Sequence, residues 1–77
     1  MEERQFWTEV GKRIKERRCI LNITQSALAK HLNITRTAIG KIERGERGVS
    51  TLELTRIAER LYHPVWEFVP EKETNKP

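Results

Sequence analysis

The tripeptide Asn-Ile-Thr occurs twice in this chain, at residues 22–24 and at residues 33–35. Asparagine tolerates the left-handed conformation in which many helices end, and threonine is a good N-cap for a following helix. Each copy therefore predicts a joint between two helices, with the isoleucine turned toward the core. Both copies also match an N-glycosylation acceptor. The start of the chain, MEERQFWTEV, lacks the apolar core of a secretory signal, so we expect a cytoplasmic protein without these glycans.

Apolar residues recur at helical spacing along most of the chain. They predict helix 1 from about Gln5 to Ile20, with Gly11 at a close approach to a neighbour. Helix 2 is expected over residues 25–32 and helix 3 over residues 36–43, and a capping box at residues 50–53 opens helix 4. Pro64 and Pro70 bound a predicted fifth helix, PVWEFV. The expected fold is a compact, all-α, five-helix domain over residues 1–70, followed by a disordered polar tail at residues 71–77.

Positive charge is concentrated in the middle of the chain. Residues 11–47 have a net charge of +7, residues 1–10 of −2 and residues 48–77 of −1. This asymmetry indicates a polyanionic partner, nucleic acid before an anionic membrane. Solvated helix surfaces rich in lysine and arginine would give the same count. We expect Lys12, Arg13 and Arg17 to serve solubility or long-range attraction and not direct contact with the partner. No uncharged run is long enough to span a bilayer.

The residue types that catalysis or metal binding requires do not cluster in the sequence. Cys19 is the only cysteine, so it cannot form an intrachain disulfide, and we expect it to be a small apolar filler near the end of helix 1. No Cys/His group has metal-ligand spacing, and we find no nucleophile–base pair or glycine-rich phosphate loop. We therefore expect no enzyme activity, no cofactor and no metal site.

The segment TQSALAKHLNITRTAIGKIERG resembles the helix-turn-helix of the phage-repressor/Cro-like, or Xre-like, family of DNA-binding domains. The resemblance extends over about residues 10–69. It implies a lambda-repressor-like fold in which helix 3, the recognition helix, enters the major groove of double-stranded DNA. Members of the family usually bind near-palindromic operators as homodimers.

The resemblance also implies roles for individual residues. Gln25 matches a glutamine that clamps a phosphate and supports the reading side chains, while Arg36, Thr37 and Lys41 match positions that read base edges. The caps Thr24 and Thr35 open the two helices that face DNA, and Arg44 and Arg47 match a loop that follows the DNA backbone. Arg18 and Glu43 match an ion pair between helix 1 and the end of helix 3. Gly40 stands where a larger side chain is common, which removes one possible reader. Glycine is frequent in the family at the positions of Asn22, Asn33 and Tyr62.

The last apolar residues, Trp66, Phe68 and Val69, are expected to leave exposed surface that forms a dimer interface.

The sequence thus predicts a sequence-specific transcriptional regulator, a repressor before an activator. A phage-type repressor, a restriction–modification controller and an autoregulating antitoxin all fit. The alternative is a protein-interaction module, such as an antitoxin whose main partner is a toxin protein.

Overall fold

The computed structural model describes residues 1–70, and the predicted polar tail at residues 71–77 lies outside this range. The described part is all-α and contains no strand. It consists of α1 (Glu3–Ile20), α2 (Gln25–Leu32), α3 (Arg36–Glu43) and α4 (Thr51–Arg60), followed by one 3-10 turn (Val65–Glu67). In residues 1–70 no helix has the length and apolar character needed to cross a membrane.

Both Asn-Ile-Thr copies form the helix joints that the sequence predicts. The Thr24 hydroxyl accepts a hydrogen bond from the Ala27 amide, and the Thr35 hydroxyl accepts one from the Ala38 amide, each over 3.0 Å. Asn22 and Asn33 have φ angles of 57° and 59°, in the left-handed region. The repeat therefore specifies the two turns on either side of α2.

All four helices end in the same hydrogen-bonded turn. One residue adopts positive φ and donates to the carbonyl three residues back, and the next residue donates to the carbonyl five back. The positive-φ residues are Asn22, Asn33, Gly45 and Tyr62. Tyr62, with φ of 54°, is the costly member of this set, because left-handed backbone is disfavoured for residues other than glycine, asparagine and aspartate.

The core lies where the four helices meet. Its members are buried apolar side chains from every helix and from the residues that follow α4: Val10, Ile14, Leu28, Ala29, Leu32, Ile39, Ile42, Ile57, Ala58, Leu61 and Phe68. Gly11 lets α1 approach the end of α3, as predicted, since an added Cβ would collide with the Ile42 carbonyl oxygen and lie 2.7 Å from that of Glu43. α1 and α3 are thus in direct backbone contact.

The prediction of a fifth α-helix is wrong, because residues 65–67 form only a 3-10 turn. Glu67, Phe68 and Val69 each donate to the carbonyl three residues back. Pro64 and Pro70 leave too few residues between them for the costly first turn of an α-helix to propagate. The turn delivers Phe68 into the core with no exposed surface, so its prediction as a dimer-interface residue is also wrong.

Two arginines of α1 are not merely solvated, because they donate hydrogen bonds to backbone carbonyls that follow α4. Arg17 donates to the carbonyl oxygens of Leu61 and Tyr62 over 2.9 and 3.1 Å, which satisfies the C-terminus of α4. Arg13 pairs with Glu9 at 2.9 Å and donates to the Val69 carbonyl over 3.2 Å. Cys19, expected to be a small apolar filler near the end of helix 1, is exposed instead.

Candidate nucleic-acid interface

The predicted DNA-reading residues lie on the exposed face of α3. Arg36, Thr37 and Lys41 are all exposed, while Ile39 and Ile42 on the opposite face are buried in the core. The helical period puts residues 36, 37, 40, 41 and 44 on one face. The structure therefore brings together the side chains to which the resemblance assigns base contacts.

The N-termini of α2 and α3 provide backbone donors beside this face. The first amides of any α-helix have no intrahelical acceptor, and the helix dipole makes its N-terminus favourable for an anion. Thr24 and Thr35 each satisfy one such amide with the side chain. The preceding first-turn amides, those of Gln25 and Ser26 in α2 and of Arg36 and Thr37 in α3, have no acceptor within their helices and can donate to an anion.

The predicted Arg18–Glu43 ion pair is present and includes Gln25. Glu43 Oε2 accepts from Arg18 Nε over 2.6 Å, and Oε1 accepts from Arg18 Nη2 over 3.1 Å and from Gln25 Nε2 over 2.9 Å. Arg18 Nη1 also donates to the Ile23 carbonyl. The Glu43 and Arg18 side chains are 2% and 11% exposed. The bond to Glu43 raises the pKa of Arg18 against the lowering effect of burial. This cluster joins α1, the first residue of α2 and the last residue of α3.

Gln25 is thereby oriented by a buried carboxylate. One N–H of its amide is held by Glu43, so the amide group has a defined orientation at the N-terminus of α2. The family resemblance implies a phosphate-clamping role for Gln25, but the sequence gave no sign of this bond, because residues 25 and 43 lie on different helices. The spacing of residues along one helix cannot show such a contact.

Arg44 and Arg47 both have carboxylate partners within the chain. Arg44 pairs with Glu46 at 3.0 Å on the surface, where both side chains are more than half exposed. Arg47 makes a bidentate pair with Glu53 at 3.0 and 2.9 Å, and Glu53 also accepts from the Ser50 amide as part of the capping box of α4. The Arg47 bond lowers the pKa of Glu53 to about 2, assisted by Ser50 and opposed by burial. Arg47 therefore orders the loop before α4, a role that sequence reasoning missed.

The surface around the 3-10 turn contains the rest of the predicted dimer interface. Trp66 is 74% exposed, and Val69 is half-buried against a groove that Met1, Glu9 and Arg13 also line. Exposed Ile20 and Tyr62 add further apolar surface at the ends of α1 and α4. Among residues 1–70, no three His, Cys, Asp or Glu side chains are grouped so that they could hold a metal ion.

Comparison with known families adds independent information to this geometry. The family model described as "Helix-turn-helix" matches residues 14–61. The chain belongs to this helix-turn-helix family. An uncharacterized transcriptional regulator in the ATPase CF(0) region of Rhodospirillum rubrum is 34% identical over 68 residues, which are 88% of this chain and 63% of that regulator. The chain thus spans less than two thirds of the regulator's length.

Two solved structures superpose well on the chain. The restriction-modification controller protein C.AhdI from Aeromonas hydrophila has a TM-score of 0.76 at 29% identity, covering 80% of this chain and 94% of the controller. Hydroxypropylphosphonic acid epoxidase from S. wedmorenis has a TM-score of 0.78 at 29% identity, but the match covers 84% of this chain and only 35% of the epoxidase. The likeness to the epoxidase therefore concerns a domain of that enzyme and carries none of its chemistry to this chain. The family match and these superpositions thus agree on a helix-turn-helix domain.

Proposed function

We propose that the protein binds double-stranded DNA sequence-specifically through α3 and represses transcription as a homodimer. One observation carries the proposal: an exposed polar face on α3 adjoins the N-termini of α2 and α3, and a buried ion-pair cluster joins the first residue of α2 to the last residue of α3. α3 docks in the major groove, and its first turn approaches the base edges.

In this arrangement backbone and side-chain groups position the protein while a few side chains read sequence. The first-turn amides of α2 and the oriented Gln25 amide bind phosphate. Thr24 and Thr35 keep the N-termini formed, and Thr35 lies next to the groove. Arg36 has the length and donor fork to bind guanine O6 and N7, and Thr37 and Lys41 extend the contact along the helix. Arg47 contributes mainly by ordering the loop that follows α3, because its guanidinium is held by Glu53.

The dimer is proposed to form through the exposed apolar surface around Trp66 and Val69. A dimer on a near-palindromic operator would place two α3 helices about 34 Å apart, one turn of DNA. The likeness to a restriction-modification controller supports this class of regulator over a phage-type repressor or an antitoxin. A dimer bound over a promoter would exclude polymerase, and the protein would act within the cytoplasm, on the nucleoid.

Binding-site selection from a randomised duplex pool tests the proposal. We expect enrichment of two inverted half-sites with centres about ten base pairs apart. Salt-sensitive binding without any enriched sequence would refute sequence reading, and it would direct the search toward a protein partner such as a toxin. Sedimentation at micromolar concentration, with and without the selected duplex, tests the dimer; a monomer under both conditions would refute it.

Substitutions on α2 and α3 test the assigned roles. We expect Arg36→Ala to cost about 1–3 kcal/mol of binding free energy and to relax selectivity at one base pair per half-site. Gln25→Ala should weaken binding to all sequences alike, since it removes a phosphate contact. Arg56→Ala on α4 is the matched control, because it removes one exposed positive charge outside the proposed face. Equal losses for Arg36→Ala and Arg56→Ala would show that only overall charge matters.

A further inference from the structure

Arg36, Gly40 and Arg44 are spaced four residues apart, so they form one ridge along the exposed face of α3. Gly40 has no side chain to offer DNA, yet its backbone is buried. The side chain of another residue therefore covers position 40 on the face of α3 that would enter the major groove.

The guanidinium of Arg44 is the group that covers Gly40. A Cβ added at Gly40 would lie 3.1 Å from Arg44 Nη1 and 3.8 Å from Cζ and Nη2. Long side chains on a helix lean toward its N-terminus and lie over the preceding turn, which explains this position. The missing side chain at residue 40 thus makes room for the charged end of residue 44.

Glu46 holds the Arg44 guanidinium from one side. Glu46 Oε2 accepts from Arg44 Nε over 3.0 Å, and Oε1 accepts from Nη2 over 3.4 Å. This arrangement uses the Nε edge of the guanidinium. The N–H groups of Nη1 and the second N–H of Nη2 are left for another acceptor, and guanine presents two suitable acceptors, O6 and N7, in the major groove.

The carboxylate also argues against a simple phosphate contact for Arg44. An exposed ion pair of this kind adds little to fold stability, so stability does not account for it. The pairing compensates the charge of Arg44, which weakens its attraction for a phosphate. A base edge, by contrast, is recognised by the direction of donors, and Glu46 restricts that direction.

We propose that Arg44 is a specificity-determining residue that reads a guanine from the space above Gly40, with Glu46 as its positioning residue. The family resemblance implies that Arg44 contacts the DNA backbone, and the proposed guanine contact replaces that role. It rests on the proposed function, since it requires α3 to enter the major groove.

The test compares binding-site selections for the wild-type protein, Arg44→Gln and Glu46→Gln, with Arg56→Gln as the matched control. All three substituted positions are exposed, and thermal unfolding checks that each variant keeps its fold. Kd values are then measured on the selected duplex, on the duplex with the affected guanine replaced in both half-sites, and on an unrelated duplex.

We expect Arg44→Gln to lose preference for one guanine per half-site, so that discrimination at that position falls from roughly tenfold or more to near unity. Glu46→Gln should lower the same discrimination several-fold while it tightens binding to unrelated DNA, because it removes a negative charge but leaves Arg44 in place. Lower discrimination together with tighter binding to unrelated DNA in Glu46→Gln is what a positioning carboxylate predicts.

Two results would overturn the inference. A uniform loss for Arg44→Gln on all duplexes would make Arg44 a phosphate contact, and a selected sequence unchanged by Arg44→Gln would exclude it as a reader while leaving the proposed function intact. If the wild-type protein selects no sequence at all, the proposed function fails and this inference fails with it.

Discussion

Removing the Glu43 carboxylate is the sharpest test of what holds the DNA-facing helices together. Glu43→Ala would leave the Arg18 side chain, which is 11% exposed, without its carboxylate, and would leave one Gln25 N–H without its acceptor. Breaking a buried ion pair by removing one partner costs about 3–5 kcal/mol, because the remaining charge is poorly solvated. Glu43 ends α3, where the helix dipole disfavours a negative charge, so its removal returns roughly 0.3–1 kcal/mol.

We therefore expect Glu43→Ala to lower the free energy of unfolding by about 3–4 kcal/mol. A domain of this size has a stability near the low end of roughly 5–15 kcal/mol, so the variant would be marginally folded. Urea unfolding followed by circular dichroism measures the loss. Glu46→Ala is the matched control: it breaks an exposed pair three residues away, where solvent screens both charges, and should change the free energy of unfolding little.

A double variant keeps this prediction testable if Glu43→Ala does not fold. Arg18→Met with Glu43→Leu replaces the pair by apolar groups of similar size, and we expect it to regain most of the lost stability. The reasoning would be refuted if Glu43→Ala cost no more than Glu46→Ala. It would equally be refuted if the double variant were less stable than Glu43→Ala alone.

Three other substitutions test single features of the fold by urea unfolding. Tyr62→Asn should raise the free energy of unfolding by about 1 kcal/mol, since it relieves positive-φ strain at an exposed residue; no gain would show that the turn is unstrained. Gly11→Ala should cost about 2–3 kcal/mol despite its better helix propensity, because the Cβ meets the α3 backbone; a stabilised variant would contradict that contact. Glu53→Gln keeps the capping box but should lower stability by about 1 kcal/mol at pH 7. The folded-state pKa of Glu53 is depressed to about 2, so this deficit should shrink as pH falls from about 4.5 to about 2; a constant deficit would exclude the charge as its cause.

The features predicted best are those that neighbouring residues determine. The two Asn-Ile-Thr joints and the Ser50–Glu53 capping box follow from local backbone preferences and hydrogen bonds, and all three are present. The bounds of α2 and α3 follow from the same caps. Such features can be read from the sequence because both partners of each bond lie within a few residues.

The features that the sequence left undetermined depend on contacts between distant segments. Phe68 faces the core because the 3-10 turn rotates it inward, and nothing in PVWEFV alone indicates which aromatic residue points where. Arg17 reaches Leu61 and Tyr62 across 44 and 45 residues of sequence. At that separation a side chain that caps another helix cannot be distinguished from a solvated one.

The same distinction changes how the positive charge of residues 11–47 should be interpreted. Half of its ten lysine and arginine residues donate hydrogen bonds to carboxylates or carbonyls of the chain itself: Arg13, Arg17, Arg18, Arg44 and Arg47. These residues still contribute to the long-range field that attracts a polyanion. Direct contact requires donors that the fold leaves available, such as those of exposed Arg36 and Lys41 on α3 and the Nη1 N–H groups of Arg44. Net charge thus indicates the class of partner, while packing decides which charges can touch it.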